Sequence, residues 1–288
     1  MIRSAIVPVA GMGAKLFPAT KSQPKEMLPV ARKPVVRYVA EELVANGIEQ
    51  ILFITGRNKN SIEDHFDTSA AHDALPEELK ARFFYTRQGR QQGLGDAILC
   101  GENFAGDEPF VAALGDAILG VHAQSRMISR MVEVFENLRT SCVIAIEEIP
   151  REMTSHYGVV ELADPCDDHF RVLNVVEKPH PDEAPSLFAV AGRYVFSPLI
   201  FDMIRRVKPD SKGQIQITDA IRLMCEEGKR VRAVRLPPGT RRYDIGDFPS
   251  YFSAFAEFAL ADPAHGEEFR RDLERLLAAG RPPGRELA

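Results

Sequence analysis

The densest run of chemically capable residues lies near the amino terminus. Gly11-Met12-Gly13-Ala14-Lys15-Leu16 follows the short apolar run Ser4-Ala5-Ile6-Val7-Pro8-Val9, and Pro18-Ala19-Thr20-Lys21-Ser22-Gln23-Pro24-Lys25-Glu26-Met27-Leu28-Pro29-Val30 comes directly after. A glycine pair just past a strand suits either a tight turn or a cradle for phosphate. Two lysines spaced among three prolines put mobile ammonium groups on stiff backbone, the combination a polyphosphate site needs. A dinucleotide fingerprint is excluded, because Leu16 stands where its third glycine belongs and Pro18 and Pro24 interrupt the helix that should follow. There is no Walker A Gly-Lys-Ser/Thr run either.

A second candidate is Asp116, which closes the apolar run Phe110-Val111-Ala112-Ala113-Leu114-Gly115. Open α/β sheets bind ligands at the carboxyl ends of their strands, and a carboxylate there can serve a ligand or cap the next segment. Cysteines at 100, 142, 166 and 225 form no CxxC pair and no short metal spacing, so they read as buried free thiols. The histidines are scattered without an HExxH, and His65 reads as a surface or satisfied side chain.

The elements that must position these groups alternate along the chain. Strands are expected at 4–9, 50–55, 82–86, 109–114 and 141–147, with helices at 35–46, 60–66, 95–104 and 125–138 between them. Ser61 or Asn60 should cap the second helix. Such alternation means βαβ units and a parallel sheet covered on both faces. From Tyr157 the pattern changes: 158–162, 171–176 and 190–196 read as strands separated by turns, an antiparallel patch inserted in the α/β frame. Helices return at 198–206, 218–227, 249–260 and 267–278, and the Pro- and Gly-rich 280–288 reads as frayed.

Length and charge narrow the function classes. A chain of 288 residues allows one large or two small domains. Lys and Arg total 36 against 41 Asp and Glu, a net charge of −5, which argues against a non-specific nucleic-acid binder. No apolar run is long enough to span a membrane and no signal-peptide pattern opens the chain, so a soluble cytoplasmic protein is expected.

The first loop and the motifs downstream together resemble the bacterial UTP–glucose-1-phosphate uridylyltransferases, members of the sugar nucleotidyltransferase superfamily. Their opening pattern GxGTRxxPxTKxxPKEMLP matches Gly11 to Pro29 except at two positions. Further matches follow in order: Asn60-Ser61-Ile62-Glu63-Asp64-His65-Phe66-Asp67, Arg87-Gln88-Gly89, Gly93-Leu94-Gly95, Glu177-Lys178-Pro179, Gly192-Arg193-Tyr194, Ile215-Gln216-Ile217-Thr218-Asp219-Ala220 and Tyr243-Asp244-Ile245-Gly246. The similarity runs over about residues 4–260.

The resemblance implies a Rossmann-like three-layer α/β nucleotidyltransferase fold, with a mixed, mostly parallel sheet and a small inserted antiparallel subregion. It divides the chain into a nucleotidyltransferase domain at 1–262, with a sugar-binding subregion at about 157–196, and a C-terminal helix and tail at 263–288. The activity implied is uridylyl transfer from UTP to glucose-1-phosphate, giving UDP-glucose and pyrophosphate, with Mg²⁺ as cofactor and a homo-oligomer, dimer or tetramer, as assembly. Carried over position by position, Ala10, Gly11 and Gly13 present backbone to the nucleotide, and Glu26, Gln88 and Gly93 read base or ribose. Lys15 and Lys25 face the phosphates, and Asp116 and Asp244 hold the metal. Gly158, Glu177 and Gly192 belong to the sugar side, where Lys178 grips the sugar phosphate. Mg²⁺ suits one or two carboxylates completed by phosphate oxygens and water. Lys178, preceding Pro179, should lie in an extended segment.

The chain departs from the family pattern in four places. Ala14-Lys15 replaces a Thr-Arg pair, which keeps the charge but loses a hydroxyl and a planar fork. Asp96 stands where the family has histidine, which places an acid near a phosphate site, Gln214 replaces a glutamate, and the stretch between Asp67 and Arg87 is short. Two other readings remain open at this point: a homologue that binds UDP-glucose and regulates an active partner subunit, and a nucleotidyltransferase for another sugar or base.

Overall fold

The computed structural model describes residues 2–67, 79–121, 125–166 and 168–279. Its frame is a sheet whose central strands are apolar on both sides, so each of these must be covered twice. β1 (Ser4–Pro8) leads through the short pair β2 (Pro29–Val30) and β3 (Lys33–Pro34) into α1 (Val35–Ala45). Then come β4 (Gln50–Thr55), α2 (Asn60–Phe66), β5 (Arg82–Arg87), α3 (Leu94–Leu99), α4 (Glu102–Ala105) and β6 (Phe110–Ala113). A three-residue strand β7 (Ala117–Leu119), α5 (Met127–Leu138) and β8 (Cys142–Glu148) follow. The second half holds β9 (Gly158–Cys166), β10 (His169–Glu177), β11 (Phe188–Phe196), α6 (Leu199–Arg206), α7 (Ile217–Glu226), β12 (Val231–Arg235), β13 (Arg242–Asp244), α8 (Phe248–Leu260) and α9 (Gly266–Ala278).

The main sheet has nine strands in the order β5-β4-β1-β6-β11-β8-β12-β10-β9. β5, β4, β1 and β6 are mutually parallel, and β11 runs antiparallel to both β6 and β8. The antiparallel stretch is therefore continuous with the main sheet: β11 lies at its centre, and β9 and β10 form a hairpin at its edge. Alternation along each strand splits the core between the two faces. Ile6, Phe110, Ala112, Ile144 and Ile146 pack with α3, α6 and α7, whereas Val7, Val111, Ala113, Val143 and Ala145 pack with α1, α2 and α5. That makes three layers.

A third apolar cluster holds the first loop in place. Leu16, Leu28, Val30 and Tyr38 pack with Ile118, Tyr243, Ile245 and Phe258, joining the first loop to the β7–β13 ribbon and α8. α8 starts at a full capping box, with Asp247 accepting from the Ser250 N–H at 3.0 Å.

Several expectations need correction. The single helix at 95–104 is two, broken at Cys100–Gly101; Gly101 lies so close to β1 that a Cβ there would meet Ile6 Cδ1 at 2.5 Å. α2 has no side-chain cap from Ser61 or Asn60; Lys59 occupies the cap position. β7, β12 and β13 were not anticipated, and because Asp116 is followed by β7 it caps no helix. Of the thiols, Cys142 is buried, while Cys100 and Cys225 are half-buried. His65 packs edge-on against Phe66, ring centres 4.9 Å apart. The tail 280–288, the Cys166 side chain and most of the short stretch after Asp67 lie outside the described residues.

Candidate active site

Parallel strands end on one side of the sheet, and the expected nucleotide residues end there with them. β1 runs into Ala10 and Gly11, β5 into Gln88, and β6 into Asp116. Gly13 takes a left-handed φ of 64°, and a Cβ there would stand 3.1 Å from Lys25 Cβ, so the glycine loop lies directly on the Lys25 side chain. Thr20 fastens the loop by donating to the Gly13 carbonyl at 2.7 Å.

Lys25 reaches across to the end of β6, where its Nζ touches Asp116 Oδ2. Burial works against the Lys25 charge, but the carboxylates of Asp116, Glu26 and Asp244 outweigh it and hold the ammonium well above its usual range. Asp244 is brought to the same place by the β7–β13 pairing, which sets it opposite Ala117, while the Ile245 N–H donates to the Asp116 carbonyl at 2.9 Å. Burial and the neighbouring Asp116 charge push the Asp244 carboxyl up, and Lys25 draws the Asp116 carboxyl down against the cost of its burial. Two carboxylates that repel and one buried ammonium thus share the floor of the cleft. Among the described residues no group of three or more His, Cys, Asp or Glu is placed to hold a metal ion.

A buried arginine fixes the turn that carries Asp116. Arg193 and Glu42 are both fully buried, 2.7 Å apart. The Arg193 guanidinium also donates to the carbonyls of Ala117 (2.7 Å) and Gly192 (3.1 Å), tying α1 and β11 to the start of β7. Gly192 lies at the register shift of β11, its backbone against the Leu114 side chain.

Nearer the end of β5, Glu26 is buried and paired with Lys59 at 2.7 Å. Gln88 donates through its side-chain nitrogen to the Gly93 carbonyl (3.0 Å) and to Asp96 (2.6 Å). Gly93, with φ 99°, packs so tightly on Ile215 that a Cβ would stand 2.5 Å from its carbonyl oxygen. Asp96, expected near phosphate, instead engages Gln88.

On the other side of the cleft Gly158 and Glu177 are register partners, and Thr218 at the start of α7 donates to Glu177 at 2.9 Å. Lys178 is half-exposed with its Nζ 3.0 Å from Glu177, and its φ of 46° is left-handed, not the extended conformation expected before Pro179. Tyr157 links the two sides: its carbonyl accepts from the Lys178 N–H at 3.1 Å, and its side chain offsets part of the upward push on the Asp244 carboxyl. The Arg242 guanidinium stacks on its ring at 3.9 Å and pairs with Glu147 at 2.5 Å. Lys15 stands apart from Lys25; it is exposed, and its charge helps lower the carboxyl of Asp247 at the start of α8.

Sequence reasoning missed Lys59, Glu42, Arg193, Asp96 as a partner of Gln88, Tyr157 and Arg242. Arg193 sat inside a quoted motif, but its partner Glu42 lies 151 residues away. No local pattern announces such pairs.

Residues 4–260 match the nucleotidyl transferase family. The chain is 40% identical to a UTP–glucose-1-phosphate uridylyltransferase of Bacillus subtilis, YngB, over 96% of each chain. Its fold superposes on UDP-glucose pyrophosphorylase solved with UDP-glucose, with a TM-score of 0.85 and 37% identity over 91% of this chain and 100% of that one. It also superposes on the UTP-bound enzyme of Acinetobacter baumannii, with a TM-score of 0.86 and 31% identity over 96% and 100%. With its three-layer frame and a lysine and two aspartates gathered beyond the strand ends, the chain belongs to the nucleotidyl transferase family.

Proposed function

We propose that this cleft transfers the uridylyl group of UTP to glucose-1-phosphate, giving UDP-glucose and pyrophosphate. The observation that carries the reading is the meeting of Lys25, Asp116 and Asp244 beside the Gly11–Gly13 loop, in a chain whose 37–40% identical relatives are named for this sugar nucleotide. The sugar phosphate oxygen attacks the α-phosphorus of UTP in line, and the bond to the pyrophosphate oxygen breaks. No covalent intermediate on the protein is needed, so catalysis is positioning and charge neutralisation.

Each residue has a place in that scheme. Ala10, Gly11 and Gly13 offer backbone to the nucleotide, and Gln88, Glu26 and Gly93 form the base and ribose end. Lys25 neutralises charge building on the leaving pyrophosphate, with Lys15 further out on the same loop. Gly158, Glu177 and Gly192 bound the sugar, and Lys178 holds its phosphate. Asp116 and Asp244 fit Mg²⁺, since two crowded hard-oxygen donors with room for phosphate oxygens are what that ion takes, and their mutual repulsion is relieved by a cation. The ion, when bound, supplies Lewis-acid neutralisation of the phosphates.

The reading extends to a cytoplasmic homo-oligomer, dimer or tetramer, with residues 1–262 as the transferase, about 157–196 as its sugar-binding part and 263–288 appended. Among the described residues no helix is long and apolar enough to cross a membrane. A coupled pyrophosphate-release assay tests the activity: release should require both UTP and glucose-1-phosphate. Release with UTP alone, or none with both, would overturn it.

A further inference from the structure

The base end of the cleft holds Asp96, which the scheme above does not use, against Gln88, which it does. Gln88 is rooted at the end of β5, where its backbone N–H donates to the Thr55 carbonyl at 2.9 Å, and its side chain is largely buried. Its carboxamide nitrogen carries two protons. One is directed to the Gly93 carbonyl at 3.0 Å and the other to Asp96 Oδ2 at 2.6 Å. A carbonyl and a carboxylate only accept, so turning the amide over would set oxygen against oxygen at both contacts. Its orientation is therefore fixed by the chemistry of its partners. The oxygen Oε1 accepts from no described residue and keeps access to solvent.

We propose that Asp96 is a positioning residue for base specificity: with Gly93 it occupies both amide protons of Gln88, so that only the Oε1 acceptor is left for the nucleotide. Such a face pairs with a pyrimidine whose ring N3 carries a proton. Uracil offers that N–H, whereas cytosine offers a lone pair at N3 and leaves two acceptors facing each other. Asparagine at 96 could present an NH₂ to Gln88 and so remove one of the two contacts that oppose the flip, leaving the Gly93 carbonyl alone against an amide turned to meet cytosine. Glutamate would keep an acceptor-only partner. The inference rests on the uridylyl-transfer reading and on Gln88 meeting the base. The plainer role for Asp96, an acid in the first turn of a short helix, would leave base discrimination unmoved.

The test measures kcat/KM for pyrophosphate release with glucose-1-phosphate and either UTP or CTP, for the unaltered protein, Asp96→Asn, Asp96→Glu and Gln88→Ala, with folding checked by thermal melting. The UTP-over-CTP ratio should fall about tenfold or more in Asp96→Asn, with CTP turnover rising, and should be largely kept in Asp96→Glu. An unchanged ratio in Asp96→Asn alongside a collapsed ratio in Gln88→Ala would overturn the role of Asp96 and leave the function standing. An unchanged ratio in Gln88→Ala would show that Gln88 does not meet the base, and the inference would fall with it. Absence of any UTP-dependent release in the unaltered protein would sink the functional reading itself. The unaltered protein also gives a check that needs no variant: UTP methylated at N3 should be used at least tenfold less well, and equal use would overturn the inference.

Discussion

At the base end of the cleft, Glu26 is paired with Lys59 in a buried contact, and both amide protons of Gln88 are taken up by Gly93 and Asp96. At the phosphate end, Lys25 touches Asp116 while Asp244 crowds the same carboxylate and is pushed up by it after burial. The first region has its polar groups satisfied by the protein, so it presents one fixed hydrogen-bonding face. The second is held with opposing charges unresolved, a state that a cation and a triphosphate would complete. On the proposed reading the base end is preorganised, while the phosphate end would change its partners when substrate arrives.

If the base end is self-satisfied, removing one partner should be costly without any ligand. Lys59→Met leaves the Glu26 carboxylate buried without its ion-pair partner and should lose about 3 kcal/mol in urea unfolding, most of it recovered in the Lys59→Met, Glu26→Gln double variant. A loss under about 1 kcal/mol would make the two ends alike. Next in size is Asp116→Asn, which should lower kcat by about 10²-fold or more while melting near the unaltered protein. An unaltered kcat at saturating magnesium would remove Asp116 from the reacting end.

Smaller effects sharpen the boundary of the phosphate end. Restoring Ala14→Thr with Lys15→Arg should raise kcat about tenfold, because a hydroxyl and a planar fork grip the leaving group better than one ammonium. A slower double variant would show Lys15 to be a full substitute from its outlying place near Asp247. Asp247→Ala removes the α8 cap and should cost about 1 kcal/mol in thermal or urea unfolding, the smallest change of the four. No loss would mean that α8 is held by its tertiary contacts, Phe258 against Tyr38 and Tyr243 and Tyr251 on the Pro29 carbonyl.

The sequence made Lys25 and Asp116 legible because they sit in a Pro- and Gly-punctuated loop and at the end of an apolar strand, whereas Asp244 came only through the family resemblance. Asp116 comes after Phe110-Val111-Ala112-Ala113, and both faces of that strand are buried as its composition requires. β12 was hidden because Arg232 and Arg235 break its apolar run, although Val231, Ala233 and Val234 are buried. β7 and β13 have three residues each, too few for a period to show. The helical spacing across 95–104 gives no warning of the break at Gly101, nor of its close approach to Ile6, which is remote in sequence. Pairs such as Lys59 with Glu26, or Arg193 with Glu42, are decided by tertiary packing and leave no mark in either neighbourhood.

The most direct measurement follows phosphorus through the whole reaction. UTP, glucose-1-phosphate and magnesium are mixed with the protein, and the products are identified by ³¹P NMR and mass spectrometry. Expected are UDP-glucose and pyrophosphate in equal amounts, at a rate that collapses in Asp116→Asn. Orthophosphate in place of pyrophosphate, or no sugar nucleotide while UDP-glucose still binds, would contradict the assignment of uridylyl transfer to this cleft.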